Sequence, residues 1–212
     1  MTDELIERLS DSLRPTARYG VQRRLLLPVV GGLVVTTFLM LMLLGPRPDI
    51  GSAAATASFW IKSGYTFALA IAGTWAVERL SRPGGSARRP GLLTALIVAA
   101  MAIIAVAGYD LAPPDMREVV VWGSSALVCP FLIAGLSVPL LAAILAAMRR
   151  LAPTELTRAG AAAGLMAGGF GAWVYSFHCP ENGLPFLALW YSLGVVIVIA
   201  LGAISGRSVL RW

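Results

Sequence analysis

The strongest constraint on this chain is the recurrence of long apolar runs. They cover residues 25–44, 54–77, 91–111, 119–148, 159–177 and 184–205. Each approaches the roughly 20 residues that a helix rising about 1.5 Å per residue needs to cross about 30 Å of hydrocarbon. Composition agrees, because only 13% of the residues are charged, against about 25% in ordinary soluble domains. The expected fold is an all-α membrane protein: six transmembrane helices over residues 25–212, preceded by an aqueous segment, 1–24. The breaks between runs carry turn chemistry, as in Gly45-Pro-Arg-Pro-Asp49, Ser81-Arg-Pro-Gly-Gly-Ser86, Ala112-Pro-Pro-Asp115 and Leu151-Ala-Pro-Thr154. All are too short to hold a further soluble domain. Residues 1–13 are acidic and amphipathic, and no small-residue cleavage site follows the first apolar run, so the N-terminus does not read as a secretory signal.

Basic residues orient the expected spans, since they concentrate on the cytoplasmic side. Arg8, Arg14, Arg18, Arg23 and Arg24 precede the first run, and Arg79, Arg82, Arg88 and Arg89 separate the second from the third. Arg149, Arg150 and Arg158 separate the fourth from the fifth, and Arg207 and Arg211 follow the sixth. Fourteen of the seventeen basic residues thus share one face. Only Arg47 and Arg117 fall on the other, and Lys62 lies inside the second run. Both termini are expected to be cytoplasmic. The net charge of +6 then reflects topology, and no direct contact with nucleic acid is expected. Trp60, Tyr109, Trp122, Trp173, Tyr175, Trp190 and Tyr191 fall near the outer ends of the spans, where amphipathic rings favour the interface.

The chain has one histidine and two cysteines, and each cysteine precedes a proline: Cys129-Pro130 and His178-Cys179-Pro180-Glu181. Cys129 lies twenty residues from Arg149, and Cys179 lies twenty-one from Arg158. Both thiols are therefore about 30 Å from the inner anchors, at the outer hydrocarbon boundary. Two readings stay open. The pair, facing an oxidising periplasm, could form a disulfide, or each cysteine could be a small apolar packing residue. A weaker possibility is a soft metal held by Cys129, His178 and Cys179. His178 and Glu181 are otherwise expected to be bystanders at a wet helix end.

Gly160, Gly164 and Gly168, with Gly202 and Gly206, recur every four residues and predict close helix contacts. Lys62, two residues from Trp60, is expected to snorkel to the outer interface. Ahead of the first run, Leu5, Ile6, Leu9 and Leu13 share one helical face, with Asp3, Glu4, Glu7, Arg8 and Asp11 around it. Some thirteen residues are too few to hold a helix alone in water. Such a segment is suited to folding on a protein partner with a basic surface, or on the chain's own cytoplasmic loops. The basic stretch from Arg14 to Arg24 fits a surface of anionic lipid. No Cys-x-x-Cys and no hydrolase constellation is present, so a non-enzyme without a cofactor is expected. A small transporter or channel subunit is the alternative, and a homo-oligomer is compatible with either.

Leu5-Ile-Glu-Arg-Leu9-Ser-Asp-Ser-Leu13-Arg-Pro15, the six spans, Cys129-Pro, Cys179-Pro, Trp190-Tyr191 and the final Arg211-Trp212 together resemble the NrsF family. Its members are bacterial negative regulators of extracytoplasmic-function sigma factors of the sigma-F type. The resemblance implies an inner-membrane anti-sigma factor whose cytoplasmic N-terminus holds the sigma factor. It places that contact on Asp3, Glu4, Leu5, Ile6, Glu7, Leu9, Asp11, Leu13, Arg14 and Pro15. It also implies that Cys129 and Cys179 respond to oxidant or heavy-metal stress.

Overall fold

The computed structural model describes residues 20–151 and 153–211. Six long helices overlie the six apolar runs: α1 (Gly20–Leu43), α3 (Ala57–Leu80), α4 (Arg88–Asp110), α6 (Cys129–Met148), α7 (Leu156–Tyr175) and α8 (Leu184–Val209). Two short helices interrupt the connections, α2 (Ile50–Ala53) and α5 (Arg117–Trp122). Among the described residues, α1, α4, α6 and α8 are long and apolar enough to cross a membrane. Their outer faces carry exposed large apolar side chains, among them Leu27, Val34 and Met42 of α1 and Leu92, Ile103 and Val106 of α4.

Of the other two long helices, α7 occupies the middle and α3 is half-buried against it. Fourteen of the twenty residues of α7 are buried, against three of the twenty-three in α4. A helix sheathed by protein needs small residues for close packing more than it needs an apolar surface. α7 packs against α3, α6 and α8, while α1 lies along α6 and α4 lies along α3. Glycine decides how closely α7 meets its neighbours. A Cβ on Gly160 would run into the Gly202 carbonyl, and one on Gly202 into the Gly160 carbonyl. Gly164 meets the backbone of Val198 and Ile199, and Gly206 meets Leu156 and Gly160. On the opposite side Gly169 abuts Ala70, and Gly73 abuts Met166. The four-residue glycine spacing therefore marks real backbone contacts, as expected of small residues at membrane helix interfaces.

The fourth apolar run departs from expectation. Residues 119–148 do not form one long tilted helix. A 3₁₀ turn over Pro114–Met116 leads into α5, which ends at Trp122, and α6 begins only at Cys129. Gly123 has φ +53°, a left-handed conformation that costs glycine little. Ser124 and Ser125 then take hydrogen bonds outside the helix. Pro130 sits in the first turn of α6, where its missing N–H is no loss, so it starts this helix instead of kinking it. Smaller shifts occur elsewhere. α3 starts at Ala57, after a turn in which Trp60 Nε1 donates to the Ala54 carbonyl (2.9 Å). α4 starts at Arg88 and α7 ends at Tyr175.

Candidate functional site

Cys129 is the first residue of α6, and Cys179 lies in the loop between α7 and α8. The last turn before that loop closes through the Cys179 N–H, which donates to the Tyr175 carbonyl (3.0 Å), and Pro180 cannot continue the helix. Both cysteines are 0% exposed and unbridged. They share one apolar cluster with Tyr175, Phe186, Leu187 and Tyr191. Two buried thiols from different segments thus line one apolar cluster. Tyr191 comes from a π-helical stretch of α8, Leu187–Tyr191. Its hydroxyl is buried without a hydrogen-bond partner, in the cluster that holds both thiols.

Two sets of polar contacts hold this arrangement. The first ties the Cys179 loop to the segment leading into Cys129. Glu181 Oε1 accepts from the Ser124 N–H (2.7 Å), the Ser124 hydroxyl (2.7 Å) and the Ser125 hydroxyl (3.3 Å). Trp190 Nε1 donates to the Val121 carbonyl (2.9 Å), and a Cβ on Gly183 would strike the Val120 carbonyl.

The second set grips the Cys179 loop from the other side. Lys62 Nζ donates to the carbonyls of Cys179 (2.9 Å) and Glu181 (2.8 Å). Arg47 Nη1 donates to the same Cys179 carbonyl (3.4 Å) and to Asn182 Oδ1 (3.5 Å), and Nη2 donates to the Pro180 carbonyl (3.4 Å). Asp49 receives Nε (2.7 Å) and Nη2 (2.8 Å) of Arg47 in a two-pronged ion pair. That pair holds the Asp49 carboxyl below its ordinary range and raises Arg47, in each case chiefly through the hydrogen bonds between them. The Arg47 N–H donates to the Phe177 carbonyl (3.0 Å), and His178 Nδ1 lies 2.8 Å from the Gly45 carbonyl. The Gly45 contact makes Nδ1 the proton-bearing nitrogen.

Three expectations change. Lys62 does not snorkel outward: it is 0% exposed and turns into the bundle, because two loop carbonyls take up its N–H groups. Glu181 is no bystander, since it joins the approaches to the two cysteines. His178 anchors the loop to the end of α1, and among the described residues no three His, Cys, Asp or Glu side chains gather as a metal site. Sequence reasoning did not single out Arg47, although it is one of only two basic residues on the sparsely charged face. The expected sigma-contacting residues, from Asp3 to Pro15, lie outside the described residues, as does the amphipathic helix expected there.

The family model described as negative regulator of sigma F matches residues 9–212. The chain belongs to the NrsF family. It is 41% identical over 213 residues to the probable anti-sigma-F factor NrsF of Azospira oryzae, covering 100% of this chain and 99% of that protein. It is 42% identical over 215 residues to the anti-sigma-F factor NrsF of Caulobacter vibrioides, with the same coverage. No solved structure matches the chain. NrsF proteins are regulators by family description, so the site is a place to look for a switch.

Proposed function

We propose that this chain is a multi-pass anti-sigma factor of the bacterial inner membrane. It holds an extracytoplasmic-function sigma factor through residues 3–15 and lets it go when the Cys129–Cys179 pair changes state. Similarity to anti-sigma-F relatives over the whole chain carries the first half of this reading. The second half is supported by two buried thiols from different segments that share one cluster, with Glu181 bonded to Ser124 between their approaches.

All six long helices act as spans, with α7 shielded by its neighbours, and both termini cytoplasmic. This orientation follows the arginine distribution and puts the thiols on the periplasmic side. The apolar stripe Leu5, Ile6, Leu9 and Leu13 seats in a groove of the sigma factor, and Asp3, Glu4, Glu7 and Asp11 meet its basic surface. Arg14 and Pro15 close the segment. Under oxidative stress the two thiols become one disulfide. Their two electrons and two protons pass to a hydroperoxide, which leaves as an alcohol and water. The bond shortens the sulfur–sulfur separation, and the helices carrying the cysteines repack. Only a change that favours the released state over the bound one can move the equilibrium.

The test is co-purification of a tagged sigma factor of the sigma-F type with the full chain, with and without oxidant. Deleting residues 2–13 should abolish recovery of the sigma factor, and retained recovery would move the contact to the loops. Replacing both cysteines by serine should leave resting recovery intact and remove the loss on oxidation. An unchanged oxidant response in that variant would take the thiols out of the mechanism.

A further inference from the structure

α1 is the described helix that follows the N-terminal segment in the chain; its end meets the Cys179 loop, and its middle packs on the helix that begins at Cys129. Residues 45–47, just past α1, meet residues 177–182 through the Arg47 N–H, the Arg47 guanidinium and the Gly45 carbonyl. Farther along α1, Thr36 Oγ1 donates to the Leu136 carbonyl of α6 (3.0 Å), and a Cβ on Gly32 would press on Leu140. α6 is the helix that begins at Cys129. Of the contacts to the Cys179 loop, the Arg47 guanidinium is the one placed to register a shift of Cys179 itself. It is 3% exposed, it bonds the Cys179 carbonyl directly, and Asp49 holds it in a fixed fork. Lys62 bonds the same carbonyl but stands on α3, which does not lead into the N-terminal segment.

We infer that Arg47 couples the state of the Cys129–Cys179 pair to α1 and, through α1, to the N-terminal segment. The inference rests on the thiol reading above. Drawing Cys179 toward Cys129 moves its carbonyl. Arg47, bonded to that carbonyl and to that of Pro180 through its guanidinium and to that of Phe177 through its backbone N–H, carries the displacement into the end of α1. A rigid helix passes such a shift along its length. Arg47 is thus a positioning residue, with no part in the thiol chemistry.

The test uses the full chain with a tagged sigma factor of the sigma-F type, and diamide as oxidant. Diamide takes two electrons and two protons from the thiol pair and leaves as the hydrazine. Disulfide formation is read by mobility shift with a polyethylene-glycol maleimide, and sigma retention by co-purification. Arg47→Gln should form the disulfide to the same extent as the unmodified chain, yet lose at least about threefold less sigma factor. In a Cys129→Ser background the same substitution should change nothing further. Arg47→Lys, which keeps one donor for the Cys179 carbonyl, should restore part of the release.

Full release by oxidised Arg47→Gln would overturn the coupling role. So would an equal effect of Arg47→Gln with and without the thiol pair, which would mark a general structural part. Failure of both Arg47 variants to form the disulfide would place Arg47 in the thiol site and also overturn it. If the unmodified chain keeps its sigma factor when oxidised, the thiol reading itself falls and takes the coupling with it. That failure shows in the unmodified arm, whereas failure of the coupling alone shows only in the Arg47 arms.

Discussion

Lys62 and Arg47 are long side chains buried at the outer end of a bundle made largely of aliphatic and small residues. Burying such a group is tolerable only when its N–H groups find partners. The Cys179–Asn182 stretch supplies them, because a loop leaving a helix presents carbonyls that no helical N–H can take. The same economy operates at Glu181, whose carboxylate receives the N–H and hydroxyls freed where the chain breaks at Gly123. Lys62→Met keeps an unbranched side chain but leaves the Glu181 carbonyl without its donor and the Cys179 carbonyl with only the longer Arg47 bond. An unsatisfied buried acceptor costs about 1–3 kcal/mol. For a chain of this size each kcal/mol lowers the melting temperature by about 2–4 °C. Melting in detergent, followed by tryptophan fluorescence, should therefore fall by roughly 5 °C or more. An unshifted Tm would show that these carbonyls do not depend on Lys62.

At the level of elements, α7 is the helix around which the others assemble, and its glycines are what admit them. Gly164 lies on the backbone of Val198 and Ile199, with no flexible side chain there to move aside. Gly164→Val should force α7 and α8 apart and cost upwards of about 1–3 kcal/mol. Around Gly135 of α6, by contrast, a Cβ would meet nothing within 4 Å. Gly135→Ala should thus be neutral or gain up to about 1 kcal/mol from a stiffer helix. Thermal unfolding of the two variants, monitored by near-ultraviolet circular dichroism, separates close packing from a general intolerance of larger residues. The π-helical stretch of α8 belongs to the same scale. A wider turn at Leu187–Tyr191 sets Tyr191 in the cluster that holds both cysteines, and such local widenings recur at functional sites.

For the whole molecule, the arginine asymmetry predicts which connections face the cytoplasm. Reporter fusions give a direct reading. Alkaline phosphatase inserted after Gly51 or Pro114 should be active, because it folds in an oxidising compartment. Green fluorescent protein placed after Gly85 or at the C-terminus should fluoresce. The reverse pattern would invert the orientation and put the thiols on the reducing side, where a disulfide would not persist. The bundle also explains why four helices carry the strongest apolar character and two do not. The four present apolar faces to the surroundings, α7 presents its faces mainly to protein, and α3 keeps Lys62, Ser63 and Thr66 on a buried face.

Several features were legible in the order of residues alone. Six helices follow from run length, since the hydrocarbon thickness sets how many residues a span needs. The family follows from an ordered set of short features along the chain, and the α7–α8 contact from glycine spacing. Height within the bundle was also legible, because counting 1.5 Å steps from Arg149 and Arg158 puts both cysteines at one level. Rotation about a helix axis was not, because it depends on which neighbours each face meets. Nor was the break at Gly123, where a run reading as one long span gives up helical bonds for partners on a distant loop. The inward turn of Lys62 and the joining of Glu181 to Ser124 have the same origin. Each pairs residues more than fifty positions apart, and such partners exist only once the chain has folded. The sequence by itself determined that six long helices form and the level of the thiols. Tertiary structure decided that the two thiols share one buried cluster, and that Arg47, just past the end of α1, bonds the backbone carbonyl of Cys179.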